Sequence, residues 1–227
     1  MARKKIVFVL VEGPSDDEAL GVLLEKIFSS NTVFVHITHG DITSRPGINP
    51  SKILSEVGDL VKGYARSNHL SKTHFQEIIH ITDTDGTYIP DEGIVEDLSA
   101  AKPIYTLNEI RTCNVNGIKN RNQIKGQCLT RLSTTQKIWD IPYHIYYMSC
   151  NLDHVLHNKQ NSSDSEKERD AISFAIRYRQ NVSGFIQFIS VSDFSVNTNY
   201  VDSWKYIKQG FHSLERHTNF GICLRNS

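Results

Sequence analysis

The stretch Ile6-Val7-Phe8-Val9-Leu10-Val11-Glu12-Gly13-Pro14 constrains this chain more than any other. Its apolar run has no polar alternation, which predicts a strand buried on both faces, the habit of parallel sheets covered by helices. The run stops at a carboxylate, and Gly13 and Pro14 then turn the chain. Ser15 followed three residues later by Glu18 is a capping-box pattern. It opens a helix predicted over 16–29, with Ala19, Leu20, Leu23, Leu24, Ile27 and Phe28 as its apolar face. Residues 32–38 are β-branched and apolar and predict a second strand, running into His39-Gly40-Asp41. A loop with Pro46, Gly47 and Pro50 leads to a second helix over 51–66, and Glu77-Ile78-Ile79-His80-Ile81-Thr82 predicts a third strand. The order β-α-β-α-β implies a parallel sheet with right-handed crossovers. Open sheets of this kind bind their ligands beyond the carboxyl ends of the strands.

The third strand also ends in carboxylates, at Asp83-Thr84-Asp85-Gly86. In extended backbone, side chains two apart share a face, so Asp83 and Asp85 are expected to point the same way. Two carboxylates about 4 Å apart repel by roughly 4 kcal/mol at an effective dielectric near 20, so such a pair calls for a proton, a cation or distance. If Glu12 lies on the neighbouring strand, three carboxylates converge. A hard divalent cation, Mg²⁺ or Mn²⁺, suits such oxygen ligands. The blander reading is a turn, since Asp and Gly favour turns. An EF-hand is excluded, because Gly86 falls too early in the loop and the twelfth-position ligand is missing.

Taken together, an apolar strand ending in Glu12-Gly13, a helix, and a later apolar strand ending in Asp83-x-Asp85-Gly86 resemble the Toprim domain. The form Glu12-Gly13-Pro14-Ser15-Asp16 looks most like its nuclease branches, the small RNA-maturing enzymes and the OLD (overcoming lysogenisation defect) nucleases. The resemblance implies a Rossmann-like parallel sheet flanked by helices. It also implies a divalent-metal-dependent nuclease acting on DNA or RNA, with Glu12, Asp83 and Asp85 at its centre and two Mg²⁺ or Mn²⁺ ions. Asp16 would be a further metal ligand, although Glu is the more usual occupant and an acid in a first helical turn also suits the helix dipole. Asn151-x-Asp153 would add a fifth carboxylate, or else simply cap a helix. Lys205 is the preferred candidate for the late catalytic lysine of the OLD branch, ahead of Lys208, against the alternative of a solvated helix face. Nucleases of this branch are often paired with an ATPase and act in antiviral defence, so a partner ATPase is a further expectation. The alternative is a non-catalytic module that binds a nucleotide or a partner protein.

The rest of the chain is less explicit. The signal weakens over 87–120, where Asp91, Glu92, Glu96 and Asp97 make an acidic loop and 103–105 suggests an edge strand. A helix is predicted over 121–136, a fourth convincing strand over 143–148, and helices over 166–180, 182–191 and 201–209. This divides the chain into a Toprim-like α/β domain at 1–160 and a helical C-terminal extension at 161–227 packed on it.

Formal net charge is zero, with 25 basic and 25 acidic residues. A nucleic-acid surface would therefore be a local patch, for which Arg45, Lys119, Arg121 and Lys125 are the candidates. His39 and His154 sit at strand ends near the expected site. The widely spaced Cys113, Cys128, Cys150 and Cys223 read as free thiols of a cytoplasmic protein, with no zinc spacing. The N-terminal apolar run is too short for a signal peptide core or a membrane span. A homo-oligomer is compatible with the sequence.

Overall fold

The structure, a computed structural model, describes residues 4–225. Its centre is a sheet of five strands in the order β2-β1-β3-β8-β7. These are β1 (Ile6–Val11), β2 (Thr32–Ile37), β3 (Phe75–Asp83), β7 (Lys137–Ile138) and β8 (Ile141–Met148). The first three and β8 run parallel. β7, which sequence periodicity does not reveal, pairs antiparallel to β8 at the edge. The chain is thus mixed α/β, with a mostly parallel sheet between helices.

Every residue of β1 is buried, because it has a strand on either side and helices above and below. Its alternate residues feed two cores. Val7, Val9 and Val11, with Ile79, Ile81 and Met148, pack under helices α1 (Pro14–Ile27), α5 (Asp164–Tyr178) and α6 (Val182–Val191). Phe8 and Leu10, with Ile78, Tyr143, Ile145 and Tyr147, pack under α2 (Ile53–Ser67), α3 (Val115–Thr134) and α7 (Tyr200–Tyr206). The crossover from β1 to β2 uses α1, and that from β2 back to β3 uses α2. Strand order therefore reverses between β1 and β3. Ligands of open α/β sheets bind beyond the strand ends at such a reversal, and Glu12 and Asp83 stand at the ends of the two strands that flank it.

Several elements differ from expectation. Helix α1 begins at Pro14, with Gly13 as its N-cap. The capping carboxylate is Asp16, not Glu18: its Oδ2 accepts from the backbone N–H of Gly13 (2.9 Å) and of Glu12 (3.1 Å). Proline at the first helical position, where no N–H is needed, moved the start upstream. Helix α3 begins at Val115 rather than 121, capped by Asn114, whose Oδ1 accepts from Gly117 N–H at 2.9 Å.

The stretch 87–114 forms a second, small sheet in the order β4-β6-β5: β4 (Ile94–Glu96), β5 (Ile104–Tyr105) and β6 (Ile110–Thr112). Short α4 (Leu152–His157) follows β8, and α8 (Gly221–Leu224) closes the chain. The C-terminal third is built into the sheet's own core. Phe174 and Phe185 share the Val7–Val9 core. The segment before α8 hydrogen-bonds along β8: Ser149 N–H donates to His217 O (2.8 Å) and Tyr147 N–H to Asn219 Oδ1 (2.8 Å).

Candidate functional site

The parallel pairing of β1 with β3 sets Glu12 beside the end of β3. Glu12 Oε1 accepts hydrogen bonds from Thr82 Oγ1 (3.1 Å) and from the backbone N–H of Asp83 (3.0 Å). Both acids are half-buried at the sheet edge. No hydrogen bond from the described residues reaches the Asp83 carboxylate, Glu12 Oε2 or Asp16 Oδ1. Burial first, then Asp41 and Asp85, push the Glu12 carboxyl up to about 8, against relief from Lys125. Asp83 is held well above the carboxylate range by burial and by Glu12, Asp16 and Asp85. Asp16 is raised to about 6, chiefly by burial, against the two N–H groups that it caps. These acids stand together without enough positive charge.

Asp85 does not share a face with Asp83, as an extended chain would require. β3 ends at Asp83, and Asp85 takes the left-handed region at φ +48°. Asp85 N–H donates to Cys150 O (2.8 Å), and Thr84 Oγ1 donates to Ser213 O (2.8 Å) while accepting from Cys150 N–H (2.9 Å). Gly86 follows at φ +66°, where a Cβ would meet Leu214 Cδ2 at 2.6 Å. A left-handed non-glycine residue costs of order 1–2 kcal/mol. The buried Thr84 bolts stabilise the turn against that cost. The result is that Asp85 turns toward α3.

There it meets Lys125, whose side chain is 0% exposed. Lys125 Nζ donates to Asp85 Oδ2 (2.5 Å) and to Asp41 Oδ2 (2.7 Å). Asp41 comes from the loop after β2. Its Oδ1 also accepts from Thr43 N–H (2.7 Å) and its Oδ2 from Ser44 Oγ (2.5 Å). Burial opposes the charge on Asp41, but Lys125 and these donors outweigh it and hold the carboxyl well below its ordinary range. Burial likewise opposes the Lys125 charge, and Asp41, Asp85 and Glu12 overcome it, holding the ammonium well above its ordinary value.

Asp153 is the second residue of α4 and 8% exposed. It lies in the electrostatic field of Asp16. Its partner is Lys167 on α5, 3.7 Å away. Asn151 is the N-cap of α4, its Oδ1 accepting from His154 N–H at 2.9 Å. Lys167 also feels Asp83 and Asp16. It is the half-exposed cation closest in influence to the unbalanced acids, carried there by the packing of α5 on α1. Lys205 lies elsewhere: it is 69% exposed on α7 and pairs with Asp202 at 2.8 Å. Lys208 donates to Thr130 Oγ1 at 3.1 Å.

Of the basic residues expected to line a groove, Arg121 and Lys125 are committed to the protein itself, while Arg45 and Lys119 stand in exposed ion pairs. Arg45 pairs with Glu56 and Lys119 with Asp91. Arg121 donates to Asp85 O (2.7 Å) and Tyr105 Oη (2.8 Å), tying the small sheet to the turn. His39 is exposed in a left-handed turn, and His154 is buried, its imidazole pulled down to about 4 by burial. Cys113, Cys128 and Cys150 are free thiols, the last two buried. Among the described residues no helix is long and apolar enough to cross a membrane.

Sequence reasoning passed over Asp41 and Lys167 as site residues, and it misjudged Lys125. Asp41 carries the same signal as Glu12, an acid just past a strand of the parallel sheet. Lys125 occupies an inward position in the series Ile118, Asn122, Lys125, Leu129, Leu132, all buried and spaced three or four apart. A lysine on the apolar face of a helix demands a buried partner.

As a donor set, Glu12, Asp83, Asp16 and Asp153 suit a hard divalent cation. All are carboxylates, several of their oxygens lack protein donors, and positive charge would relieve their mutual repulsion. Among the described residues no group of three or more His, Cys, Asp or Glu stands ready-gathered to hold a metal ion. Ligation would thus require these side chains to draw together. Compared with protein-family models, curated protein sequences and solved structures, the chain has no match.

Proposed function

We propose that this chain is a Toprim-like, divalent-metal-dependent phosphodiesterase that cuts DNA or RNA. The observation that carries the reading is the set of under-compensated carboxylates at the β1/β3 reversal, headed by Glu12 and Asp83. Those two residues would hold Mg²⁺ or Mn²⁺, with Asp16 and Asp153 alongside. When bound, the ion would supply Lewis-acid polarisation of a phosphoryl group. Glu12 keeps one oxygen on Thr82 and Asp83 and leaves Oε2 to hold or accept a proton, as a general base requires. Lys167 faces the same acids from α5 and is placed to balance charge on a phosphate. A partner ATPase and an antiviral role belong to this reading by resemblance alone.

The test is cleavage of plasmid DNA, single-stranded DNA and structured RNA with Mg²⁺ or Mn²⁺. Wild type should cut at least one of these. Glu12→Ala and Asp83→Ala should each lose about 100-fold or more, the scale of a lost essential group. Cleavage that survives both substitutions, or that proceeds in EDTA, would refute the reading.

A second reading has its own support. Arg45, Lys119, Arg121 and Lys125 all serve internal contacts, which suits a non-catalytic module that binds a nucleotide or a partner protein. Binding of a divalent ion with no cleavage of any of the three substrates would favour it.

A further inference from the structure

The carboxylates at the strand ends fall into two groups that differ in what balances them. Beside α3, Asp41 from the loop after β2 and Asp85 from the turn after β3 share one buried ammonium, Lys125 Nζ, at 2.7 and 2.5 Å. Both Asp41 oxygens are occupied, Oδ1 by the Thr43 N–H and hydroxyl and Oδ2 by Lys125 and Ser44. At the β1/β3 reversal, the Asp83 carboxylate accepts no hydrogen bond from the described residues, and Glu12 and Asp16 each keep a carboxylate oxygen free of one.

We infer that Lys125 serves as a built-in cation for the Asp41–Asp85 half, so that the site takes a single divalent ion, at Glu12 and Asp83, rather than two. This rests on the proposed metal-dependent reading and narrows it. An ion entering between Asp41 and Asp85 would have to displace the fully buried Lys125 ammonium from both carboxylates. It would also have to break the hydroxyl and N–H bonds that saturate Asp41. An ion at Glu12 and Asp83 displaces no protein cation and relieves like-charge repulsion. Lys125 is a positioning residue here. It fixes Asp85 away from Asp83 and biases the field at Glu12 without meeting substrate.

The experiment is calorimetric titration of the full chain with Mn²⁺, checked by electron paramagnetic resonance counting of bound ion. One ion per chain is expected for wild type. Asp83→Asn should weaken binding by about tenfold or more, at least the loss that removing a mere outer-shell partner of a metal ligand causes. Asp85→Asn should keep one ion with affinity within about threefold, because its charge is already spent on Lys125. Asp41→Asn carries the same expectation and stands in if the Asp85 variant fails to fold, which melting in EDTA reveals. Two ions per wild-type chain would overturn the inference and leave the metal-dependent reading standing. So would an Asp85→Asn or Asp41→Asn variant that loses the ion as Asp83→Asn does. No bound ion at all would overturn both.

Discussion

The two halves of the carboxylate rim solve the same electrostatic problem in opposite ways. Asp41 and Asp85 are balanced from within by Lys125, and the region around them is locked by hydroxyl and backbone donors. Burial first, and then a shortage of positive charge, make the carboxyls of Glu12, Asp83 and Asp16 hold protons above the ordinary range. A rim built only for stability would resemble the first half throughout. The second half carries a standing cost, and unbalanced acids of that kind concentrate where a protein binds or reacts. The lesson is that a buried ion pair and a candidate site can share one sheet edge and one residue type, distinguished only by where the nearest ammonium sits.

The largest effect should come from removing that ammonium. Lys125→Met leaves Asp41 and Asp85 facing each other with no cation. Breaking a buried ion pair by deleting one partner costs about 3–5 kcal/mol. For a chain of this size that corresponds to a fall in Tm of about 6–20 °C. Adding Asp41→Asn and Asp85→Asn to Lys125→Met should restore part of the loss. Thermal melting followed by circular dichroism checks both. A Lys125→Met protein that melts within about 2 °C of wild type would erase the contrast between the halves.

Next in size is the pH response of Glu12 in EDTA. Its carboxyl is raised from an ordinary 4.5 to about 8, so the folded chain binds this proton more tightly than the unfolded chain does. Its stabilising contribution is complete below about pH 4.5 and is lost as pH rises through 8. Glu12→Gln keeps an acceptor for Thr82 and Asp83 but cannot ionise. It should melt about 3–6 °C above wild type at pH 9 and close to wild type at pH 4. Asp41 has the opposite sign. Held below its ordinary 3.8, it stabilises the fold above that pH and loses its effect only as the solution becomes strongly acidic. An Asp41→Asn variant should therefore be weaker than wild type across neutral pH. A Glu12→Gln variant whose melting tracks wild type at every pH would mean that the reversal carries no excess charge.

Asp16 belongs to both kinds of region, since it caps α1 and stands at the reversal. Asp16→Ala should cost about 1 kcal/mol, the usual value of a lost N-terminal cap. Asp16→Asn retains an acceptor for Gly13 N–H and should cost less than half of that. If Asp16 also supports an ion, the Asn variant will keep its melting temperature in EDTA yet bind Mn²⁺ more weakly. Equal Mn²⁺ affinity in Asp16→Asn and wild type would restrict Asp16 to capping.

Much of this arrangement was legible in the sequence, and what was not has physical causes. The uninterrupted apolar run of β1 and the glycine after each acid identify strands that end at the reversal, and local pattern suffices for that. The direction of Asp85 was hidden, because alternation assumes extended backbone and the left-handed turn at Asp85 is held, through Thr84, by Cys150 and Ser213, which are distant in sequence. Of the small sheet only β5, within the edge strand expected at 103–105, was legible; β4 and β6 were hidden because strands of three residues are too short to show a period. Lys125 was misread because a lysine on a helix is ordinarily solvated. Its place among Ile118, Leu129 and Leu132 was the available signal.

The smallest effects separate the lysines. Lys205 is 69% exposed and touches only Asp202 among acids, and exposed pairs spaced three or four apart are worth about 0.3–0.5 kcal/mol. Lys205→Ala should melt within about 1 °C of wild type. If α7 plays no part in the chemistry, any phosphodiesterase activity should also stay within about twofold. Lys167 has a similar stability cost, because its 3.7 Å contact with Asp153 is loose and its side chain is 38% exposed. Its effect on activity should nonetheless be larger, about tenfold or more, because it alone of the two acts on Asp83, Asp16 and Asp153. Measuring both variants against one substrate sets a lysine beside the uncompensated acids against one on a solvated face. Equal losses would show that nearness to the reversal is not what matters. A large loss for Lys205→Ala alone would move the reactive centre toward α7, away from the β1/β3 reversal.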